Sequence, residues 1–324
     1  MKNGLYVMDP ARFDDIYGPD ERTAIERHLR IAAPPMAADA LDPELLGEVN
    51  VLVTGWGGPK LDAELLAAAP KLELVLYGAG SARPILTPEF WDRGVRITSA
   101  ANAIAEAVAE FALAQILFAL KHGWRYVLTS RATRSAAVRG PEVGTGGSVV
   151  GLVSLGATGR ATARLLARHE VVVQAHDPYA EPEPGVRLVG LEELFATSDV
   201  VSLHAPLLEE TQHLVGARLL ESMKPDATLI NTARGGLIDE NALVEVLRRR
   251  PDLFAALDVT DPDPAAPGSP LFELPNIVVT PHLAGSLGPE RRRQGRLMAQ
   301  ELAKYVTGEP LGHEITRDGL ETRA

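Results

Sequence analysis

The feature that most restricts how this chain can fold is a glycine turn in its middle, Gly151-Leu-Val-Ser-Leu-Gly-Ala-Thr-Gly159. A short apolar run over 148–154 enters it, and a helix-favouring run over 160–168 leaves it. Strand, tight turn and helix in that order leave backbone N–H groups free at a helix N-terminus, where they can hold a pyrophosphate. Only Gly156 and Gly159 of the usual G-x-G-x-x-G remain, because Ser154 takes the first position. By itself such a turn also suits any α/β protein. Its surroundings add weight, since 171–175 reads as a second strand and Asp177 follows eighteen positions after Gly159. That is close to the offset of about 20 at which a carboxylate reads an adenosine ribose. A carboxylate there accepts from the 2′-hydroxyl and repels a 2′-phosphate, and no nearby Arg replaces it, so the pattern favours NAD over NADP.

With 324 residues the chain is long enough for two domains of ordinary size. Its 43 acidic against 32 basic side chains leave a net charge of −11, which opposes non-specific attraction to nucleic acid or anionic membrane. The Arg291-Arg292-Arg293 run is accordingly expected to be a solvated helix face. Zero cysteines remove disulfides, thiolate nucleophiles and Cys-bound metals, and fit a cytoplasmic protein. The first eight residues lack the apolar stretch of a signal peptide. The longest apolar segment, 107–120, carries Glu110 and Gln115 and is expected to be a buried helix, too short and too polar to span a bilayer.

Strands are expected at 5–8, 51–54, 72–76 and 95–98, separated by helical stretches such as 61–69. A second series follows the glycine turn at 199–203, 227–230, 253–257 and 277–280. Strands alternating with helices imply parallel sheets joined by right-handed crossovers, so two α/β layers are expected. The helix-like segment 101–122, with Ile104, Val108, Phe111 and Gln115 at helical spacing, lies between the two series. A last helix over 289–306 could return to the first domain. That gives residues 1–100 with 289–324 as one domain and 101–288 as the other. Between Gly123 and Gly147, a stretch with Arg125, Arg131, Arg134 and Arg139 is expected to be irregular, an exposed loop or else a subunit contact.

Ligands of a doubly wound sheet bind beyond the carboxyl ends of its strands. Four such ends carry polar groups that a core does not need: His204-Ala-Pro206 with Thr211, then Asn231-Thr-Ala-Arg-Gly-Gly236, then Asp258-Val-Thr-Asp-Pro-Asp-Pro264, then Pro281-His-Leu-Ala-Gly285. Taken singly, an arginine after a strand makes a surface salt bridge, a histidine satisfies a carbonyl, and Asp-Pro is turn chemistry.

Taken jointly and in order, these segments resemble the D-isomer-specific 2-hydroxyacid dehydrogenase family, from about Gly78 to Gly285. The resemblance implies a Rossmann NAD-binding domain and a flavodoxin-like substrate domain with the site in the cleft between them. It implies interconversion of a 2-oxo acid and a D-2-hydroxy acid, and a homodimer. Arg234 would hold the substrate's carboxylate and carbonyl oxygen, a task that suits its planar fork. His282 would exchange the proton at the carbonyl oxygen. A carboxylate should hydrogen-bond that histidine and stabilise its imidazolium. Family members usually place a glutamate there, whereas this chain has Asp263, with Asp261 as the alternative. Gly78, Ala79 and Gly80 match the family loop whose N–H groups meet the substrate carboxylate, although Ser81-Ala-Arg83 follows where an Asp is usual. Asn102 and Glu110 fall on family positions near the cleft, unless Glu110 is a buried-helix polar residue. The implied NAD contacts are Gly156, Ala157, Thr158, Gly159, Asp177, His204, Pro206, Thr211, Thr232, Asp258 near the carboxamide, and Gly285. No metal is implied, and the eight histidines show no ligand-like pairing.

Two other readings stay open. A nucleotide-sensing, corepressor-like interaction protein could use the same scaffold, and the departures at Ser154 and Asp263 leave room for it. Formate and phosphite dehydrogenases also share the scaffold, and their oxidations need no proton donor at a carbonyl.

Overall fold

The computed structural model describes residues 1–138, 140, 144–181 and 183–322. The chain forms two compact units, Met1–Ile104 with Ser286–Ala324, and Ala105–Gly285.

The first unit is built on five parallel strands, β1 (Lys2–Val7), β2 (Leu29–Ile31), β3 (Val51–Thr54), β4 (Leu74–Tyr77) and β5 (Arg96–Ser99), in the order β2-β1-β3-β4-β5. That order is the flavodoxin-like one. Side chains alternate between two buried faces, with Leu5, Val7, Leu52 and Val75 in one core and Tyr6, Val51, Val53 and Leu76 in the other. Burial on both faces explains why the strands read as continuous apolar runs. β2 escapes notice in the sequence because it has three residues, and its central Arg30 is exposed.

The helix Arg292–Thr307 returns to this unit and inserts Met298, Ala299 and Leu302 into the second core. The arginine run at its start, Arg291 to Arg293, is not a solvated face. Arg291 pairs with Asp15 and lies 5.9 Å from the Trp56 ring centroid, and Arg292 is 3.3 Å from the nearly buried Glu21. The helix packs so closely on the helix Pro10–Ile16 that a Cβ on Gly295 would stand 2.1 Å from the Ile16 carbonyl oxygen. That approach draws the arginines onto carboxylates of the neighbouring helices.

The second unit holds seven parallel strands, β6 (Val149–Val153), β7 (Val172–His176), β8 (Val186–Leu188), β9 (Val200–Leu203), β10 (Thr228–Asn231), β11 (Phe254–Leu257) and β12 (Ile277–Val279). Their order is β12-β11-β10-β9-β6-β7-β8. From β6 the chain builds outward through β7 and β8, then crosses back to add β9 to β12 on the other side. The reversal falls between β6 and β9, where a doubly wound sheet opens its ligand crevice. β8, three residues long and half exposed, gives no sequence signal.

Two helical expectations need correction. The helix Ala101–Ala119 buries a stripe of Ala105, Ala107, Ala109, Ala112, Ile116 and Ala119, while Ile104, Val108, Phe111 and Gln115 are only half-buried. Small side chains allow the closer approach, so the alanine face wins the core. At nineteen residues this helix is also longer than the apolar segment 107–120, and among the described residues it is long and apolar enough to cross a membrane by length and composition. Ile116 and Ala119 pack instead with Val150 and Leu152 of β6.

The stretch from Gly123 is likewise not an irregular loop at its start, since Gly123–Thr133 is a helix. No proline interrupts it, and Trp124 anchors it by donating to Gln115 at 2.8 Å. Arg125 is half-buried, donates to the carbonyls of Asp226 and Ala227, and stands over the Phe254 ring. Arg131 and Arg134 are exposed, and Arg139 lies outside the described residues.

Candidate active site

β6 runs through Ser154 and Leu155 into the helix Ala157–Leu166, whose N-cap Gly156 receives no side-chain cap. Gly156 and Ala157 are exposed and Thr158 half-buried, so the first N–H groups of the helix are open to an anion. Gly159 is required by packing, because a Cβ there would stand 2.1 Å from the Ser154 carbonyl oxygen. Asp177, just after β7, folds its carboxylate back over the turn. One oxygen accepts from the Ser154 hydroxyl at 3.0 Å and the Leu155 N–H at 2.8 Å; the other accepts from the N–H groups of Tyr179 and Ala180. Burial alone would raise the carboxyl's pKa, but these bonds, led by Leu155, outweigh it and hold the value below the usual range.

His204 follows β9 on the other side of the strand reversal. It is buried, neither ring nitrogen has a partner, and burial pushes its pKa down to about 4. Thr232, after β10, has a buried hydroxyl equally without a partner. Thr211 donates to the Pro206 carbonyl at 2.6 Å and accepts from the Leu208 N–H at 2.7 Å, which fixes the loop after β9. Gly285 has open space where a side chain would stand. Open N–H groups at a helix start, an ionised carboxylate after β7 and unpartnered buried polar atoms fit a dinucleotide. Among the described residues, no three His, Asp or Glu side chains cluster as a metal site requires.

The remaining residues of interest follow β10, β11 and β12, three adjacent parallel strands whose carboxyl ends lie along one sheet edge. With strands about 4.8 Å apart, the ends of β10 and β12 stand roughly 10 Å from each other. Arg234 is exposed, and its guanidinium donates to the Ala233 carbonyl at 2.7 Å. Asn231 holds the loop from beneath, its amide donating to the Arg234 carbonyl and its side-chain oxygen accepting from Ala233. The next residue must be glycine, because a Cβ on Gly235 would stand 2.0 Å from the Thr260 carbonyl oxygen. The arginine loop thus sits directly on the loop that follows β11.

Asp258 begins that loop and is 2% exposed. Its carboxylate accepts from the Thr280 hydroxyl at 2.5 Å, the Leu283 N–H at 2.8 Å and the Ala284 N–H at 2.7 Å, while its carbonyl accepts from the His282 N–H at 3.0 Å. It therefore grips the turn that carries His282, an interaction its expected proximity to a carboxamide did not foreshadow. His282 needs the grip, since it adopts a left-handed backbone with φ 55°. Its Nδ1 lies 2.6 Å from Oδ2 of Asp263. Asp263 is therefore the carboxylate that reaches the imidazole, one methylene short of a glutamate; the Asp261 N–H is tied to Glu240 at 2.7 Å.

In the first unit, Gly78, Ala79 and Gly80 follow β4. Among the described residues the N–H groups of Ala79 and Gly80 have no backbone acceptor. Gly78 is pinned, its N–H donating to Thr54 and its carbonyl accepting from the buried Gln294 amide at 3.0 Å. A side chain there would strike the Tyr17 hydroxyl. Nothing in the sequence marks Gln294 or Tyr17, because 216 and 61 positions respectively separate them from Gly78. Asn102, also in this unit, pairs with His313 at 3.0 Å. Glu110 is exposed, which removes the buried-helix alternative for it.

Comparison with known proteins agrees with this architecture. Residues 113–284 match the family model described as D-isomer specific 2-hydroxyacid dehydrogenase, NAD binding domain. The glyoxylate reductase of Korarchaeum cryptofilum is 33% identical over 314 residues, covering 92% of this chain and 93% of that protein. That of Thermofilum pendens is 34% identical over 278 residues, covering 82% and 80%. Among solved structures, a D-isomer specific 2-hydroxyacid dehydrogenase from Xanthobacter autotrophicus Py2, in complex with NADPH and MES, superposes with a TM-score of 0.78 at 27% identity, covering 98% of this chain and all of that one. The chain belongs to the D-isomer specific 2-hydroxyacid dehydrogenase family and is an oxidoreductase whose cofactor is NAD.

Proposed function

We propose that the protein interconverts a small 2-oxo acid and its D-2-hydroxy acid, with Arg234 as substrate anchor and His282 as general acid and base. The His282–Asp263 contact at 2.6 Å carries this reading. With Nδ1 occupied by the carboxylate, Nε2 is the nitrogen left to give a proton to a carbonyl oxygen, or to take one from a hydroxyl. Oxidation of formate or phosphite needs no such proton donor, so the pair favours carbonyl chemistry. Arg234, exposed at the end of the strand two places away, has a fork suited to a carboxylate. The N–H groups of Ala79 and Gly80 in the first unit, without a backbone acceptor among the described residues, also suit an anion. When bound, the dinucleotide supplies or accepts the hydride.

On the same reading, residues 105–285 form the cofactor domain and the first unit the substrate domain. Gly156, Ala157, Thr158 and Gly159 cradle the pyrophosphate, Asp177 reads the ribose, and His204, Pro206, Thr211, Thr232, Asp258 and Gly285 surround the rest of the cofactor. Glyoxylate is the first substrate to test, because it is named in relatives that match nearly the whole chain. We further assign a homodimer, supported by the partly exposed Phe118 and Val127, and a cytoplasmic location, supported by the absence of cysteine.

The test follows NADH absorbance with glyoxylate, hydroxypyruvate and pyruvate. Turnover with at least one, lost in His282→Ala, is the expected result. Silence with all three from folded protein that binds NADH would overturn the proposal.

A further inference from the structure

Ser154 occupies a position where glycine would be easier. Its φ is 81°, a left-handed conformation that strains a residue with a Cβ and costs glycine almost nothing. The side chain does not fill a cavity, since the residue is only half-buried. Its hydroxyl donates to Asp177 at 3.0 Å, and it lies 3.9 Å from where a Cβ on Gly156 would stand, between the open helix start and the carboxylate.

A carboxylate offers about four acceptor directions. At Asp177 three are filled by the backbone N–H groups of Leu155, Tyr179 and Ala180, which cannot swing away, and the fourth by Ser154. A ribose diol approaching Asp177 therefore has to share a carboxylate that already takes four donors. The Ser154 oxygen keeps its own lone pairs while its proton goes to the carboxylate.

We infer that Ser154 is a cofactor-binding residue, whose Oγ, lying between Asp177 and the first turn of the helix Ala157–Leu166, accepts a hydrogen bond from the adenosine ribose and contributes to the choice of NADH over NADPH. This rests on the assignment of Asp177 to the ribose. A ribose 2′-hydroxyl has a proton to donate, whereas a 2′-phosphate has none at that oxygen. Removing the acceptor therefore weakens NADH binding and not NADPH binding. The strained backbone stays because the hydroxyl is used.

The experiment measures dissociation constants for NADH and NADPH by fluorescence titration, together with thermal midpoints, for the wild type, Ser154→Gly, Ser154→Ala and Asp177→Ala. Both serine variants should bind NADH about fivefold to tenfold more weakly, with the NADH-over-NADPH ratio falling by the same factor. Ser154→Gly should melt no lower than wild type, because its backbone strain is gone. Equal weakening of both cofactors would make the effect structural and overturn the inference, as would unchanged or tighter NADH binding in Ser154→Gly. If Asp177→Ala leaves the ratio unchanged, the ribose assignment itself fails; if that ratio falls while the serine variants match wild type, only the role of Ser154 fails.

Discussion

Nδ1 of His282 lies 2.6 Å from Oδ2 of Asp263, across two loops that leave adjacent parallel strands. The loop after β11 that carries Asp263 also packs on the arginine loop, where a Cβ on Gly235 would stand 2.0 Å from the Thr260 carbonyl oxygen.

If His282 exchanges the proton, His282→Ala should lower kcat by roughly 10²–10⁴-fold while NADH affinity stays within about twofold. Asp263→Ala should give a smaller loss of kcat, and Asp263→Glu should retain more activity than Asp263→Ala. Steady-state kinetics beside NADH titration separates these outcomes. An Asp263→Ala enzyme with wild-type kcat would remove the pair from the mechanism.

Arg234→Lys keeps the charge and loses the fork. Its KM for the 2-oxo acid should rise by on the order of 10²-fold, corresponding to about 3 kcal/mol for one charge-assisted pair. Initial rates over a wide substrate range decide this, and a KM within threefold of wild type would assign the guanidinium elsewhere.

Gly235→Ala places a Cβ 2.0 Å from the Thr260 carbonyl oxygen, so one of two loops must move. The expected cost is about 1–3 kcal/mol of stability. A drop in kcat should accompany it, because the displaced loop carries Asp263. Urea denaturation read beside kcat tests both, and full activity at reduced stability would show that the loop shift spares the histidine.

Acid should destabilise the fold through His204. Its pKa is pushed down to about 4 by burial, against an ordinary 6.5, so between those values the unfolded chain takes up a proton that the folded one refuses. The contribution is fully present above pH 6.5 and is lost at roughly 1 kcal/mol per pH unit as the pH falls towards 4. Denaturation midpoints at pH 7 and 5 should show a shallower fall in His204→Leu than in wild type, and parallel falls would place the acid sensitivity in another group.

Much of the architecture was legible in the sequence, for a local reason. Strands buried on both faces need uninterrupted apolar runs, so β3, β6 and β9 announce themselves within a residue or two. Turns that present backbone to a ligand need glycine, so Gly156 and Gly159 stand out as well. β2 and β8 do not, because three-residue edge strands carry too few side chains to show a period. The helix Gly123–Thr133 was hidden by the arginines on it, and the alanine stripe of Ala101–Ala119 by larger apolar neighbours that only graze the core.

By itself, then, the sequence determined the strand order of events along the chain and the residue types at each strand end, because those depend on spacing and on local backbone chemistry. Tertiary structure alone decided which groups meet. That Asp263 rather than Asp261 touches His282, that Asp258 grips the turn beneath that histidine, that Gln294 pins Gly78, and that Ser154 shares a carboxylate with three backbone amides all depend on segments distant in the chain, loops after different strands or a returning helix, arriving at one place. No periodicity encodes such meetings, since hydrogen bonds form across space between residues whose separation along the chain is arbitrary.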